Sequence, residues 1–290
     1  MSRWILIVSF YLLLTPLSYA ENDKAFFWQV ESESATVYLL GSIHYADPGF
    51  YPLRPAIEKA FEASDKLVVE IAIDEAMAKT YQDLINEQGT YPGKETIEQH
   101  VSAETYQSLL HHLELLGLPL EYVNRHKPGI IVLTLTSVQL LKMGFMPEMG
   151  IDLYFLKRAR QNKDIIELET IEQQIDIFLS IPDGDLLLRE TLHSLEQADI
   201  LMADIVRSWK LGDMVLLEKI LFEDTLSQYP SYEDIYDRLF YERNENMSQR
   251  IRELLQEKGS YFVVIGAGHF VGEKGILRLL EDSGYDVKRL

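Results

Sequence analysis

Tyr261-Phe262-Val263-Val264-Ile265-Gly266-Ala267-Gly268-His269 is the stretch from which the fold is read. Five aromatic or branched apolar residues in a row, closed by glycine, predict a buried strand. The glycines let the backbone turn sharply and approach a ligand. His269 then emerges at the strand's carboxyl end, where open α/β sheets hold their ligands. Tyr38-Leu39-Leu40-Gly41-Ser42-Ile43-His44 repeats the pattern near the other end of the chain. Two Gly-x-x-His motifs at two strand ends of one sheet predict a single polar site with two imidazoles, which bind borderline metals or shuttle protons.

Working outward, Phe26 to Val30 and Ala35 to Leu40 flank the polar turn Glu31-Ser32-Glu33-Ser34 and read as a hairpin. Lys66-Leu67-Val68-Val69-Glu70-Ile71 is an apolar strand with an acid at its end. Such an acid is costly to bury unless it is paired, ligates a cation or opens to a cleft, so Glu70 is the natural carboxylate of the site. From about Glu75 to about residue 225 helical periodicity dominates, with Ile130 to Met143 predicted as a buried helix and Asp164 to Glu169 as a strand. A long helix is predicted from Tyr232 to Lys258, carrying Arg243 as a cation able to hold a carbonyl or oxyanion. Val271 to Asp282 reads as a helix and Tyr285 to Leu290 as a last strand. The ends are therefore α/β and the middle, residues 75–225, is α, within one domain spanning residues 21–290.

Residues 1–20 stand apart from that domain. Met1-Ser2-Arg3 gives a positive start, Trp4 to Leu14 an apolar run, and Ser18-Tyr19-Ala20 small residues at the positions a signal peptidase inspects. The run is short for a membrane span, so a cleaved signal peptide is expected, with the product exported to the periplasm or medium and no stable membrane anchor. The chain has no Cys, which excludes disulfides, thiolate metal sites and a Cys nucleophile. Its net charge of −19 repels phosphate backbones and argues against nucleic acid as a partner.

Other readings compete. Gly266-x-Gly268-x-x-x-Gly272 imitates a dinucleotide fingerprint, yet the final strand ends in Lys288-Arg289 where an acid is expected, and His269 has no place in that motif. His111-His112 and His100 suggest a second metal site, but neighbouring side chains on a helix diverge, and these histidines are expected to face solvent. Asp152, Glu167, Glu169 and Glu172 are read either as partners behind the site or as helix caps and surface charge. No His-Glu-x-x-His motif is present.

Tyr38 to His44, Phe50-Tyr51-Pro52-Leu53, Leu67 to Glu70, Leu168-Glu169-Thr170-Ile171-Glu172-Gln173-Gln174, Arg243-Asn244 with Met247, and Val264 to Phe270 occur in the order of one known family. The chain resembles the TraB/GumN family over nearly all of residues 21–290. That resemblance implies an erythromycin-esterase/ChaN-like fold, with a mixed central β-sheet, flanking helices and a large helical insertion. It also implies a site of His44, Glu70 and His269, with Arg243 as a fourth member. Relatives include the TIKI metal-dependent proteases, which implies a divalent transition metal held by His44, Glu70 and His269, Mn or Co ahead of Zn. The expectation is an exported metal-dependent hydrolase acting on a peptide or small ester. The alternatives are a metal-independent esterase, or a non-catalytic peptide, haem or small-ligand binder using the same cleft.

Overall fold

A computed structural model describes residues 25–73 and 75–290, with the side chains of 75–78 and 228 left out. The expected signal peptide, residues 1–20, lies outside the described residues. Six strands form one mixed sheet: β1 (Phe27–Glu31), β2 (Ala35–Ser42), β3 (Lys66–Val69), β4 (Asp164–Glu167), β5 (Gly259–Gly266) and β6 (Val287–Arg289), in the order β4-β3-β5-β2-β1-β6. The pairs β4–β3, β3–β5 and β5–β2 are parallel, while β1 runs antiparallel to both β2 and β6.

The apolar run that opened the sequence reading is the centre of this sheet. Tyr261 to Ile265 are each at most 1 % exposed, because β5 is covered on both faces. Burying each such side chain contributes about 2 kcal/mol. On one face, α1 (Pro55–Ala63) and α5 (Ile151–Ala159) supply Phe61 and Phe155, whose rings lie 5.5 and 4.8 Å from that of Phe262.

The remaining helices are α2 (Glu75–Gln88), α3 (Ala103–Leu116), α4 (Pro128–Lys142), α6 (Ile171–Leu179), α7 (Gly184–Glu196), α8 (Ala198–Leu211), α9 (Met214–Glu218), α10 (Asp224–Gln228), α11 (Glu233–Tyr236), α12 (Glu242–Gln256) and α13 (Ile276–Asp282). Helix α12 packs on β2 and on α13, burying Met247, Ile251, Leu254 and Leu255. Between β3 and β5, β4 is the only strand among the described residues.

The structure departs from the sequence expectations in four places. The helix expected over Tyr232 to Lys258 is interrupted by a π turn at Asp237–Tyr241, which no Pro or Gly marks in the sequence. The helix expected from Val271 begins only at Ile276, because Gly272 adopts φ +85° and a Cβ at Gly275 would lie 2.6 Å from the Val271 carbonyl oxygen. The glycine loop forms only a short 3-10 turn at Ala267–Phe270, and the α-helix that a dinucleotide site requires at this point does not start there. The predicted buried helix at Ile130 to Met143 is buried through Ile130, Ile131, Val132 and Leu135, while Leu141 is half exposed. His112, expected at the surface, is buried.

Candidate active site

The register of β2 against β5 brings the two motifs together. Leu40 lies opposite Val264, Gly41 opposite Ile265 and Ser42 opposite Gly266, so His44 and His269 leave adjacent parallel strands at the same edge. Val69 of β3 lies opposite Val264, which places Glu70 at that edge too, on the other side of β5.

Glycine is required here for space. A Cβ on Gly41 would lie 2.8 Å from Phe26 Cβ and 3.1 Å from Ala267 Cα. The Gly41 carbonyl accepts a 2.7 Å hydrogen bond from Trp209 Nε1, which ties α8 to the end of β2. A Cβ on Gly266 would lie 3.3 Å from Glu70 Oε1, 3.3 Å from His44 Nε2 and 3.6 Å from His269 Cδ2. Three of the four residues singled out in the sequence thus converge on one small space above Gly266.

The hydrogen bonds determine which atoms face it. Asn244 Nδ2 donates to the Lys274 carbonyl at 2.8 Å, which orients the amide and turns Oδ1 toward His269 Nδ1, 2.6 Å away. An amide oxygen only accepts, so Nδ1 carries the proton and Nε2 keeps its lone pair. His44 Nδ1 lies 2.9 Å from Asp152 Oδ2, and Ser42 Oγ donates to Asp152 Oδ1 at 2.6 Å. Asp152 reaches them because Gly150-Ile151 docks the start of α5 on this loop. Ile151 N donates to the Ile43 carbonyl, and a Cβ on Gly150 would lie 2.2 Å from the His44 carbonyl oxygen.

Glu70, 7 % exposed, accepts from Gly266 N–H at 2.7 Å through Oε1 and from Arg243 Nη2 at 2.6 Å through Oε2. Gln174 Nε2 approaches Oε2 at 3.3 Å. Arg243 also grips Glu169 with two bonds of 2.7 Å, from Nε and Nη2, and donates from Nη1 to the Leu239 carbonyl in the π turn. Its guanidinium is committed to two carboxylates and a carbonyl, and it fixes Glu70 in place.

These contacts separate the protonation states. Burial alone would raise the Glu70 carboxyl, but the positive charges of His44 and Arg243, with the Gly266 N–H, outweigh it and hold the group well below the usual carboxylate range. Burial pushes His269 down to about 3, against the pull of Glu70, so it is neutral. His44 is raised to about 9, chiefly by the Asp152 carboxylate. Its side-chain surface is 59 % open, so it is the member of the site that solvent reaches.

Among the described residues no three His, Asp or Glu side chains stand in a ready cation-binding group. The donor chemistry nonetheless suits a transition metal. Each imidazole has its Nδ1 engaged by an oxygen acceptor, as metal-ligating histidines do, and a carboxylate shares the space above Gly266. Asp152 and Glu169, which the sequence left between partner and surface roles, both reach the site. Asn244, Gln174 and Trp209 were not anticipated. Asn244 is next to Arg243, and only the helix face it occupies, known from the fold, shows that it reaches His269.

The chain is 28 % identical over 244 residues to the uncharacterized protein YbaP of Escherichia coli (strain K12), covering 84 % of this chain and 87 % of that protein. It is 26 % identical to the metalloprotease TIKI2 of Xenopus tropicalis and 24 % identical to the metalloprotease TIKI1 of Homo sapiens. These matches cover 92 % and 91 % of this chain, but 60 % and 62 % of the two relatives. No solved structure matches significantly. The model of the TraB/PrgY/gumN family matches residues 26–289, nearly the whole of the described fold, and the chain belongs to that family.

Proposed function

We propose that this protein is an exported, metal-dependent hydrolase of the peptidase type. The observation that carries the reading is the convergence of His44 Nε2, Glu70 Oε1 and the His269 ring edge on the space above Gly266, with both imidazoles oriented from behind. His44, Glu70 and His269 would hold the ion, Mn or Co ahead of Zn. When bound, it would polarise the scissile carbonyl and acidify a water, supplying the nucleophile in a chain that has no Cys.

The chain's own residues divide the remaining work. Asp152 and Asn244 hold the two imidazoles with Nε2 outward. Arg243, anchored by Glu169, keeps Glu70 ionised and aimed. His44, the open member, faces the arriving substrate. The names of the TIKI relatives support the peptidase class, and the apolar start of the sequence supports export. Among the described residues no helix is long and apolar enough to cross a membrane.

The metal-independent esterase reading draws on the Asp152–His44 pair, which resembles the orienting half of a general-base system. It is weaker, because it leaves the second imidazole, His269, which Asn244 holds by Nδ1 beside the same space, without a role.

The test is metal analysis of the purified mature protein beside the His44→Ala/His269→Ala variant, followed by peptide and ester libraries with added Mn, Co or Zn. Metal bound by the first protein alone, with turnover that follows it, is expected. Equal metal in both proteins rejects the proposed site. Metal retention and ligand capture without turnover on any substrate supports the binder. Cell fractionation of the full-length chain tests export.

A further inference from the structure

Gln174 lies in the first turns of α6, after the Thr170 cap. Its backbone N–H donates to the Thr170 carbonyl at 3.1 Å and its neighbour Ile175 is buried, so this end of the helix is fixed. The side chain is half-buried and reaches back to the strand ends. Nε2 lies 3.0 Å from Glu169 Oε2 and 3.3 Å from Glu70 Oε2, and both oxygens accept from Arg243 Nη2 as well. Two acceptors therefore face the NH₂ end of the carboxamide, and Oε1 is turned away from them. Oε1 receives no hydrogen bond from any described residue and is not enclosed by the protein, so an arriving ligand can reach it.

The other acceptors of this network are taken. Both oxygens of Glu70, Glu169 and Asp152, and Oδ1 of Asn244, are engaged by protein groups. Gln174 Oε1 is the acceptor left without a protein donor. It is also a strengthened one, because bonds from Nε2 to carboxylate oxygens polarise the amide and raise the negative charge on Oε1. Its rotamer freedom is already lost to the inner contacts, so a bond made at the outer end carries little further ordering cost. An N–H satisfies that oxygen. An ester oxygen in the same place has no hydrogen to give and sets two acceptors face to face.

Resting on the peptidase reading of the strand-end site, we infer that Gln174 is a specificity residue whose Oε1 accepts a backbone N–H of the substrate near the scissile bond. The protein thereby selects chains that carry that N–H over chains with an ester oxygen in its place.

The test measures binding of capped tetra-alanine to the metal-free mature protein, and of analogues in which one amide N–H at a time is replaced by an ester oxygen, following the Gln174 side-chain amide resonances. Turnover of the same series by the Mn-loaded protein is recorded beside it. One replacement should weaken binding about five- to tenfold, the size of one neutral hydrogen bond, and that analogue alone should leave the Gln174 resonances in place. In Gln174→Leu, which removes the acceptor, the peptide and that analogue should bind equally. This ratio is internal to each protein, so a general loss of affinity in the variant does not imitate it, and the parent series with its resonance shifts decides even if the variant does not fold. No saturable peptide binding, equal binding across the series in the parent, or a discrimination that survives in folded Gln174→Leu overturns the inference. Discrimination in binding with no turnover of any member rejects the hydrolase reading while supporting recognition by Gln174.

Discussion

His269 Nδ1 and Asn244 Oδ1 stand 2.6 Å apart, and the amide that makes this contact is itself oriented by the Lys274 carbonyl. The imidazole therefore has one tautomer and one direction before any ligand arrives. Asn244→Ala should lower metal affinity about 10- to 100-fold, the usual effect of removing a group that orients a ligating histidine. Asn244→Asp, which still accepts from Nδ1–H, should retain affinity within a few fold. Competition titration against a chelating dye reads both, and an unchanged affinity in the alanine variant would show that Asn244 orients nothing that matters.

Arg243 is predicted to act through Glu70. It is 16 % exposed at the side chain and pairs with two carboxylates that are each 8 % exposed. Arg243→Met leaves two buried carboxylates without the cation that pairs with them, which costs about 3–5 kcal/mol of stability. Arg243→Lys should recover only part of this, since an ammonium cannot reproduce the fork-shaped contact with Glu169. Urea unfolding checks both values. A loss below about 1 kcal/mol in the Met variant, the range of a surface ion pair, would remove the proposed role.

Much of the sheet and of the site is legible in sequence, for identifiable reasons. Strand β5 is covered on both faces, so burial writes a continuous apolar run at Tyr261 to Ile265. His44, Glu70 and His269 are visible because each lies within four residues of the end of an apolar run, where a polar residue is conspicuous. Asp152, Glu169 and Arg243 are charged residues on or beside helices, and charge on a helix is usually solvated; only the docking of α5 and α12 on the sheet reveals their partners. The π turn at Asp237–Tyr241 carries no breaker residue, and the burial of His112 depends on how α3 meets α7. Packing between distant segments decides such features, and a local pattern does not record it.

The His44–Asp152 pair sets a pH dependence. In the metal-free protein the His44 ring should titrate near pH 9, and Asp152→Asn should return it toward its ordinary value near 6.5. The folded-state value lies above the unfolded one, so the pair's contribution to stability is fully present below about pH 6.5 and is lost as the pH rises through about 9. The effect on stability is modest, because the ring is more than half exposed and solvent screens the charge. Metal must displace that proton, so loading should strengthen with rising pH over the same interval. NMR titration of the His44 ring provides the check, and a midpoint near 6.5 in the parent protein would contradict the arrangement.

Two glycine substitutions should separate function from folding. In Gly266→Ala the new methyl would lie 3.3 Å from Glu70 Oε1 and His44 Nε2 and 3.6 Å from His269 Cδ2. Its neighbours are side-chain ends that can move by a few tenths of an ångström, so the fold should survive with a loss of about 1 kcal/mol or less, while the space shared by the three groups is filled. Metal loading and turnover should fall together. In Gly150→Ala the methyl would meet the His44 carbonyl oxygen at 2.2 Å, a backbone atom that yields only if the start of α5 lifts from the loop. That variant should lose about 3 kcal/mol or more, at the upper end of overpacking costs. Thermal unfolding and metal analysis of both proteins provide the comparison. Full metal loading in a folded Gly266→Ala protein would place the ion somewhere other than the space bounded by His44, Glu70 and His269.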